Sequence, residues 1–254
     1  MRERQAGLLA QRVPDLLSKV VWLDAWPDEI RGCVVANEVL DAMPVHVLHW
    51  AQGRVEQRGV AVEAGSLAWR NLPLGDGALR EAALGLDVPD EYVSEVGIVG
   101  QAWVADLAQR LTCGALLLID YGFGEREYYH PQRQQGTLMC HYRHHAHDNP
   151  FFLPGLQDIT AHVDFTAIAA AGIRHGLELA GFTSQAYFLV NGGITGLLAR
   201  LPAEPALQHA REMAAVQQLL SPAEMGELFK VLALTRHVSE PLSGFAQGDM
   251  RRRL

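Results

Sequence analysis

The segment Ala36-Asn37-Glu38-Val39-Leu40-Asp41-Ala42-Met43-Pro44-Val45 places two carboxylates and an amide within five positions, where an apolar run gives way to polar residues. Asn37 to Ala42 would begin the return helix, and helical spacing would set Asp41 within a turn of Asn37 and Glu38, so the three groups would share one small volume. Paired carboxylates of that kind can clamp a cation and take up a proton. The competing reading is that Asn37 and Glu38 only cap the helix. The position favours chemistry, because ligands of open α/β sheets bind at the carboxyl ends of strands.

A second such junction is Asp120-Tyr121-Gly122-Phe123-Gly124-Glu125, after the run Ala115 to Ile119. Its glycines imitate a dinucleotide fingerprint, but Glu127 stands at the third glycine position and Tyr128-Tyr129-His130-Pro131 opens no helix, so the motif lacks its context. Asn191-Gly192-Gly193-Ile194-Thr195-Gly196 has no Walker lysine and reads as a capped turn. In Thr160-Ala161-His162-Val163-Asp164-Phe165, His162 and Asp164 stand at the mouth of a helix, where Thr160 or Asp164 also suits an N-cap. The cluster His141-Tyr142-Arg143-His144-His145-Ala146-His147-Asp148-Asn149 invites a metal hydrolase reading, yet its spacing misses the second acidic ligand and no HExxH is present. No metal is expected, and the cluster reads as part of a substrate-facing loop.

The elements that must position these residues follow from periodicity. Residues 1–12 predict a helix broken by Pro14. Val20 to Leu23 and Gly32 to Ala36 are unalternating apolar runs that suit strands buried on both faces of a parallel sheet. Residues 46–62 alternate about Ala51-Gln52-Gly53 and predict a hairpin. Residues 64–100 read as loops with short elements, Gln101 to Leu111 as a helix and Ala115 to Asp120 as the strongest strand. The aperiodic, aromatic stretch 122–160 reads as a functional loop. A helix over Asp164 to Ala180 broken at Gly172, a strand over Phe182 to Val190, helices over Asn191 to Leu201 and Pro205 to Leu220, and a strand over Leu228 to Thr235 complete an α/β chain with a largely parallel sheet.

Composition narrows the partners. With 254 residues, 49% hydrophobic, and a formal charge of −8, the chain is globular and acidic; its lysines are only Lys19 and Lys230, and its arginines are scattered. That balance argues against nucleic acid. No apolar run approaches the roughly 20 residues of a membrane span. Cys33, Cys113 and Cys140 have neither zinc nor disulfide spacing and fit a reducing cytoplasm.

Taken in order, "ANEVLDAMPV", "LLLIDYGFGEREYYHP", "GTLMCHYRHHAHDNP", "DITAHVDFTAIAAAG" and "MGELFKVLAL" resemble the MidA-type methyltransferases, a group that includes the mitochondrial complex I assembly factor that methylates arginine. The resemblance implies a class I methyltransferase (Rossmann-like) sheet, S-adenosyl-L-methionine as cofactor and a protein arginine as acceptor. On this reading residues 1–254 form one methyltransferase domain lacking its N-terminal part, with the 46–62 hairpin and the 122–160 loop as insertions. The family's glycine-rich cofactor turn and ribose-binding acid would lie upstream of "RERQAGLLAQ", so the chain is expected to be a piece that binds cofactor weakly and exposes an apolar edge.

The resemblance further implies Glu38 and Asp41 as the catalytic clamp on a guanidinium, Asn37, Leu23 and Asp24 beside the cofactor, and Tyr121, His162 and Asp164 on the substrate side. It implies a protein partner such as a respiratory-chain subunit and leaves a homodimer open. The alternative function is a non-catalytic methyltransferase-like assembly factor that contacts its partner through the 122–160 loop.

Overall fold

The computed structural model describes residues 1–143, 145–201 and 206–254. Helix α1 (Arg2–Arg12) ends before α2 (Pro14–Leu17), because Pro14 has no N–H to continue the ladder and suits only a first turn. The strand expected over Val20 to Leu23 does not form: Val21 and Leu23 are 75% and 55% exposed. The segment lies along α1 instead, with Trp22 donating to Gln5 and Arg2 to the Leu23 carbonyl. Four apolar residues without a neighbouring strand have nothing to pair with.

Strand β1 (Ile30–Asn37) is followed by a turn rather than the expected helix. Next come β2 (His46–Ala51), β3 (Arg54–Glu63), β4 (Ser66–Pro73), α3 (Ala78–Gly85) and β5 (Tyr92–Val96). Gln52 and Gly53 both take positive φ, which matches the twist of a tight hairpin, so the expected hairpin is present. It is the middle of a four-stranded antiparallel sheet of order β4-β3-β2-β5, and much of 64–100 is therefore strand and helix rather than loop. Its Gly, Pro and Asp residues gather at the turns, and the long-range pairing that stabilises β5 leaves no local signal.

The chain continues through α4 (Ile98–Arg110), β6 (Leu111–Phe123), α5 (Glu125–Tyr128), β7 (Met139–Tyr142), β8 (His145–His147), β9 (Asp158–Thr160) and β10 (Val163–Asp164). Strands β8-β7-β9 form a small antiparallel sheet, so 122–160 is more ordered than its lack of period suggested. His144 lies outside the described residues. Then follow α6 (Phe165–Arg174), β11 (Glu178–Ser184), α7 (Gln185–Asn191), α8 (Ile194–Leu198), α9 (Ala206–Leu220), α10 (Met225–Leu228) and β12 (Phe229–Arg236). Helix α6 stops because Gly176 takes φ 80°, which lets Gly176 and Leu177 donate back to Ile173 and Gly172. The break thus falls at Gly176 and not at Gly172.

The strand expected over Phe182 to Val190 begins and ends earlier, because 185–191 is helical and packs Phe188 against Phe245. Asn191 closes α7 and donates to the Gly244 and Gln247 carbonyls rather than capping a helix start. The start of the expected helix at Pro205 lies outside the described residues.

The main sheet has the order β1-β6-β12-β11, with β10 pairing the end of β6. Strand β1 runs parallel to β6, whereas β12 is antiparallel to both β6 and β11, so the sheet is mixed rather than largely parallel. Apolar pattern marks strands without giving their direction. Helices α4 and α6 cover one face, burying Leu116, Leu118, Phe165, Leu232 and Leu234. Phe188 of α7 and Phe245 cover Val231 and Ala233 on the other. Burial on both faces explains the continuous apolar runs of β6 and β12, each enclosed leucine contributing about 1.5–3 kcal/mol. Strand β1 departs from that expectation: it ends the sheet, and Val35 is 60% exposed.

Candidate functional site

The carboxyl ends of β1 and β6 lie side by side, with Asn37 opposite Ile119. What shapes the turn after β1 is Asp120. Its Oδ2 accepts the N–H groups of Val39 (3.2 Å), Leu40 (3.0 Å) and Asp41 (3.2 Å), and its Oδ1 accepts that of Tyr121 (3.0 Å). A carboxylate that gathers three successive N–H groups holds the chain in a tight turn, and Glu38, at φ 51°, starts that turn in a conformation unfavourable to a side chain. The helical spacing assumed for Glu38 and Asp41 is therefore not present. Burial pushes Asp120 up to about 7, helped by the charge of Asp41 and opposed by the donated N–H groups.

Asp41 is buried, with 6% of its surface exposed. Its carbonyl accepts from Ala161 N–H at 3.1 Å, and its Oδ2 accepts the hydroxyl of Tyr121. Its Oδ1 is buried without a hydrogen-bond partner among the described residues. An unsatisfied carboxylate oxygen is costly, and such atoms mark places where a donor is missing. Burial and Asp41 raise the Tyr121 phenol, so it keeps its proton and donates it to the carboxylate. The Tyr121 ring also meets His162 edge-on at 5.2 Å, and His162 stacks on Phe123 at 5.3 Å.

Of the residues expected on the substrate side, Tyr121 and His162 join Asp41. Asp164 does not: its Oδ1 accepts from Thr166 (3.0 Å) and Ala167 (3.1 Å), capping α6. Glu38 is exposed and pairs with the amide of Asn37 at 3.0 Å, on the outer side of the turn. Leu23 and Asp24 face α1, where Asp24 meets Arg2 at 2.6 Å.

Sequence reasoning missed how His162 is held. Glu95, on β5, is 1% exposed. It accepts from Thr137 N–H (2.9 Å), Thr137 Oγ1 (2.9 Å) and Leu138 N–H (3.1 Å). Thr137 Oγ1 in turn accepts the N–H of His162 at 3.0 Å. A glutamate beside Ser94 in a short run flanked by Tyr92, Val93 and Val96 was the available signal. Among the described residues no group of three or more His, Cys, Asp or Glu could hold a metal ion. None of their helices is long and apolar enough to cross a membrane.

Burial, followed by the positive charge of Arg133, pushes His162 down to about 4 from 6.5, so the folded protein holds it neutral. Its folded value lies below its unfolded value; its contribution to stability is therefore present above about 6.5 and lost as pH falls towards about 4. Asp120 and Asp164, both raised to about 7, act in the opposite sense: their contribution is full below 3.8 and lost as pH rises through about 7. Comparing the protein with His162→Gln isolates the histidine. The difference in melting temperature should shrink as pH falls between those limits, and a difference independent of pH overturns the buried neutral imidazole.

The mixed α/β fold, with its polar cluster at the carboxyl ends of adjacent parallel strands, is similar over its whole length to that of a solved likely methyl transferase. The chain belongs to the family described as "Putative S-adenosyl-L-methionine-dependent methyltransferase", whose match covers residues 1–183. It is 46% identical, with a TM-score of 0.95 over its whole length, to a "likely methyl transferase" from Burkholderia thailandensis crystallised bound to S-adenosyl-homocysteine. It is 29% identical over 90% of its length to the mitochondrial protein arginine methyltransferase NDUFAF7 homolog of Drosophila melanogaster, and 25% identical over 91% to that of Danio rerio. The chain spans 54% and 57% of those two curated relatives and 66% of the solved structure.

Proposed function

We propose that this chain forms the acceptor side of an S-adenosyl-L-methionine-dependent methyltransferase acting on a protein arginine. The carrying observation is Asp41: a buried carboxylate with an unpartnered oxygen, lining a cavity of about 540 Å³ at the carboxyl end of the sheet. A guanidinium stays protonated at neutral pH and must lose a proton as its nitrogen is alkylated. Asp41 supplies the matching charge and accepts that proton, while Tyr121 fixes the carboxylate's orientation. The neutral His162 beside them adds no competing positive charge. The names of the curated relatives support arginine, and the family resemblance supports a respiratory complex I subunit as substrate. Three free thiols, Cys33, Cys113 and Cys140, support a cytoplasmic setting.

When bound, the cofactor supplies an electrophilic methyl group. Asn37 and Glu38, exposed at the end of β1, fit one wall of its site, and the strained Glu38 backbone marks that wall. The opposite wall would stand on the unpaired edge of β1. Calorimetry on this chain alone should accordingly show only weak binding. A low-micromolar dissociation constant, about −8 kcal/mol, would overturn the one-wall account.

Activity itself is tested with methyl-labelled cofactor and arginine-containing proteins, on this chain and on any longer product of its gene. Label on arginine is the expected result. Label confined to other residues, or protein binding without transfer, overturns the reading, the latter in favour of an assembly factor.

A further inference from the structure

The cavity beside Asp41 is larger than one arginine side chain needs, and its walls carry a second unpaired charge. They come from the inserted sheet and from the small sheet, with Trp69 on β4 and Ile159 on β9, each an edge strand. Arg58 lines the cavity on the inserted-sheet side, its guanidinium 4.9 Å from the centre of the Trp69 ring. Trp69 packs on Phe151 at 5.1 Å, so the guanidinium, indole and phenyl rings bridge the two sheets. Arg58 is half-buried, burial lowers its guanidinium, and it has no carboxylate partner among the described residues. Exposed apolar side chains stand on both walls, Val60 and Leu67 on one and Ile159 on the other. The cavity thus offers a buried carboxylate, a half-buried cation and apolar walls supplied by edge strands.

We propose that it takes an extended peptide segment of the protein substrate, in which an acidic side chain accompanies the methylated arginine. The arginine reaches Asp41, and the acidic group pairs with Arg58. This rests on the acceptor role given to Asp41 above and adds a sequence preference to it. The charges select this occupant: a free arginine would leave Arg58 unpaired, and a wholly apolar ligand would leave both charges desolvated and unpaired. Edge strands suit an extended chain, because their free N–H and C=O groups can bond its backbone.

Fluorescence anisotropy with short labelled peptides, without any methyl donor, tests the preference. One peptide carries arginine, apolar residues and a glutamate; its counterpart carries lysine for the glutamate. The acidic peptide should bind about tenfold more tightly, the scale of one partly desolvated charge pair. Arg58→Gln should remove the preference and Arg58→Glu reverse it, with melting temperatures confirming the fold. Should Arg58→Glu fail to fold, Arg58→Gln decides alone. Equal binding of the two peptides, or a preference that survives Arg58→Gln, overturns the proposal, as does free arginine that displaces the peptide at the peptide's own concentration. Arg58-dependent binding without methyl transfer would sink only the methyltransferase reading. Methyl transfer without charge preference would sink only this one.

Discussion

Asp41→Asn should lower the rate of methyl transfer by about a hundredfold or more while leaving cofactor affinity near that of the parent protein. The substitution keeps the shape of the side chain and an oxygen able to accept the Tyr121 hydroxyl, so the turn stays in place. What disappears is the charge opposite the guanidinium and the acceptor for its proton. Glu38 is the informative comparison. From sequence it is the other half of a clamp, whereas the fold puts it on the exposed side of the turn beside Asn37. If the two carboxylates act as a unit, Glu38→Gln falls as far as Asp41→Asn, and the double variant is little worse than either. If Glu38 belongs to the cofactor wall, Glu38→Gln weakens cofactor binding instead, and the two effects add. Turnover, cofactor affinity and melting temperature on the same preparations separate these cases. Parental turnover in Asp41→Asn removes the residue on which the acceptor site rests.

The sequence made the buried strands legible because β6 and β12 are covered on both faces, and enclosure leaves an uninterrupted apolar run. It overstated Val20 to Leu23 for the same reason: a run signals apolarity but does not supply the neighbour that makes a strand. The site was legible as a place, at the ends of two strands, and less so as a set of contacts. Asp41, Tyr121 and His162 come from three segments and meet because β6 runs beside β1 and β10 pairs with the end of β6. Asp164 looked alike in sequence, one step after an apolar residue at a helix mouth, yet α6 takes it as its cap. Glu95 and Arg58 escaped notice because a strand residue acquires its meaning from the segments that the fold brings beside it, here Thr137 and Leu138 for Glu95 and Trp69 on the neighbouring strand for Arg58. The β4 and 137–138 segments that give them theirs carried no periodic signal of their own.

Asp120→Ala should cost more stability than any other single change at the site, lowering the melting temperature by on the order of 10 °C or preventing cooperative folding. Four N–H groups converge on this one carboxylate, from Val39, Leu40, Asp41 and Tyr121. With alanine they would lose their acceptor in a buried turn, at about 1–3 kcal/mol for each that water cannot reach. The charge matters less than the acceptor geometry. Because burial raises Asp120 to about 7, the carboxylate's negative charge is itself disfavoured in the fold, and any gain from titration is lost as pH rises through that value. Asp120→Asn should therefore fall between the two. Its single carbonyl oxygen can serve the Val39 to Asp41 group or Tyr121, and the amide then faces a donor on the other side. Activity should be lost in both variants, since the turn that presents Asp41 depends on this acceptor. Thermal melts rank the three proteins. An alanine variant that melts with the parent would show that the turn is held by the Ala161 to Asp41 hydrogen bond and the packing of Leu40, and Asp120 would lose its place at the centre of the site.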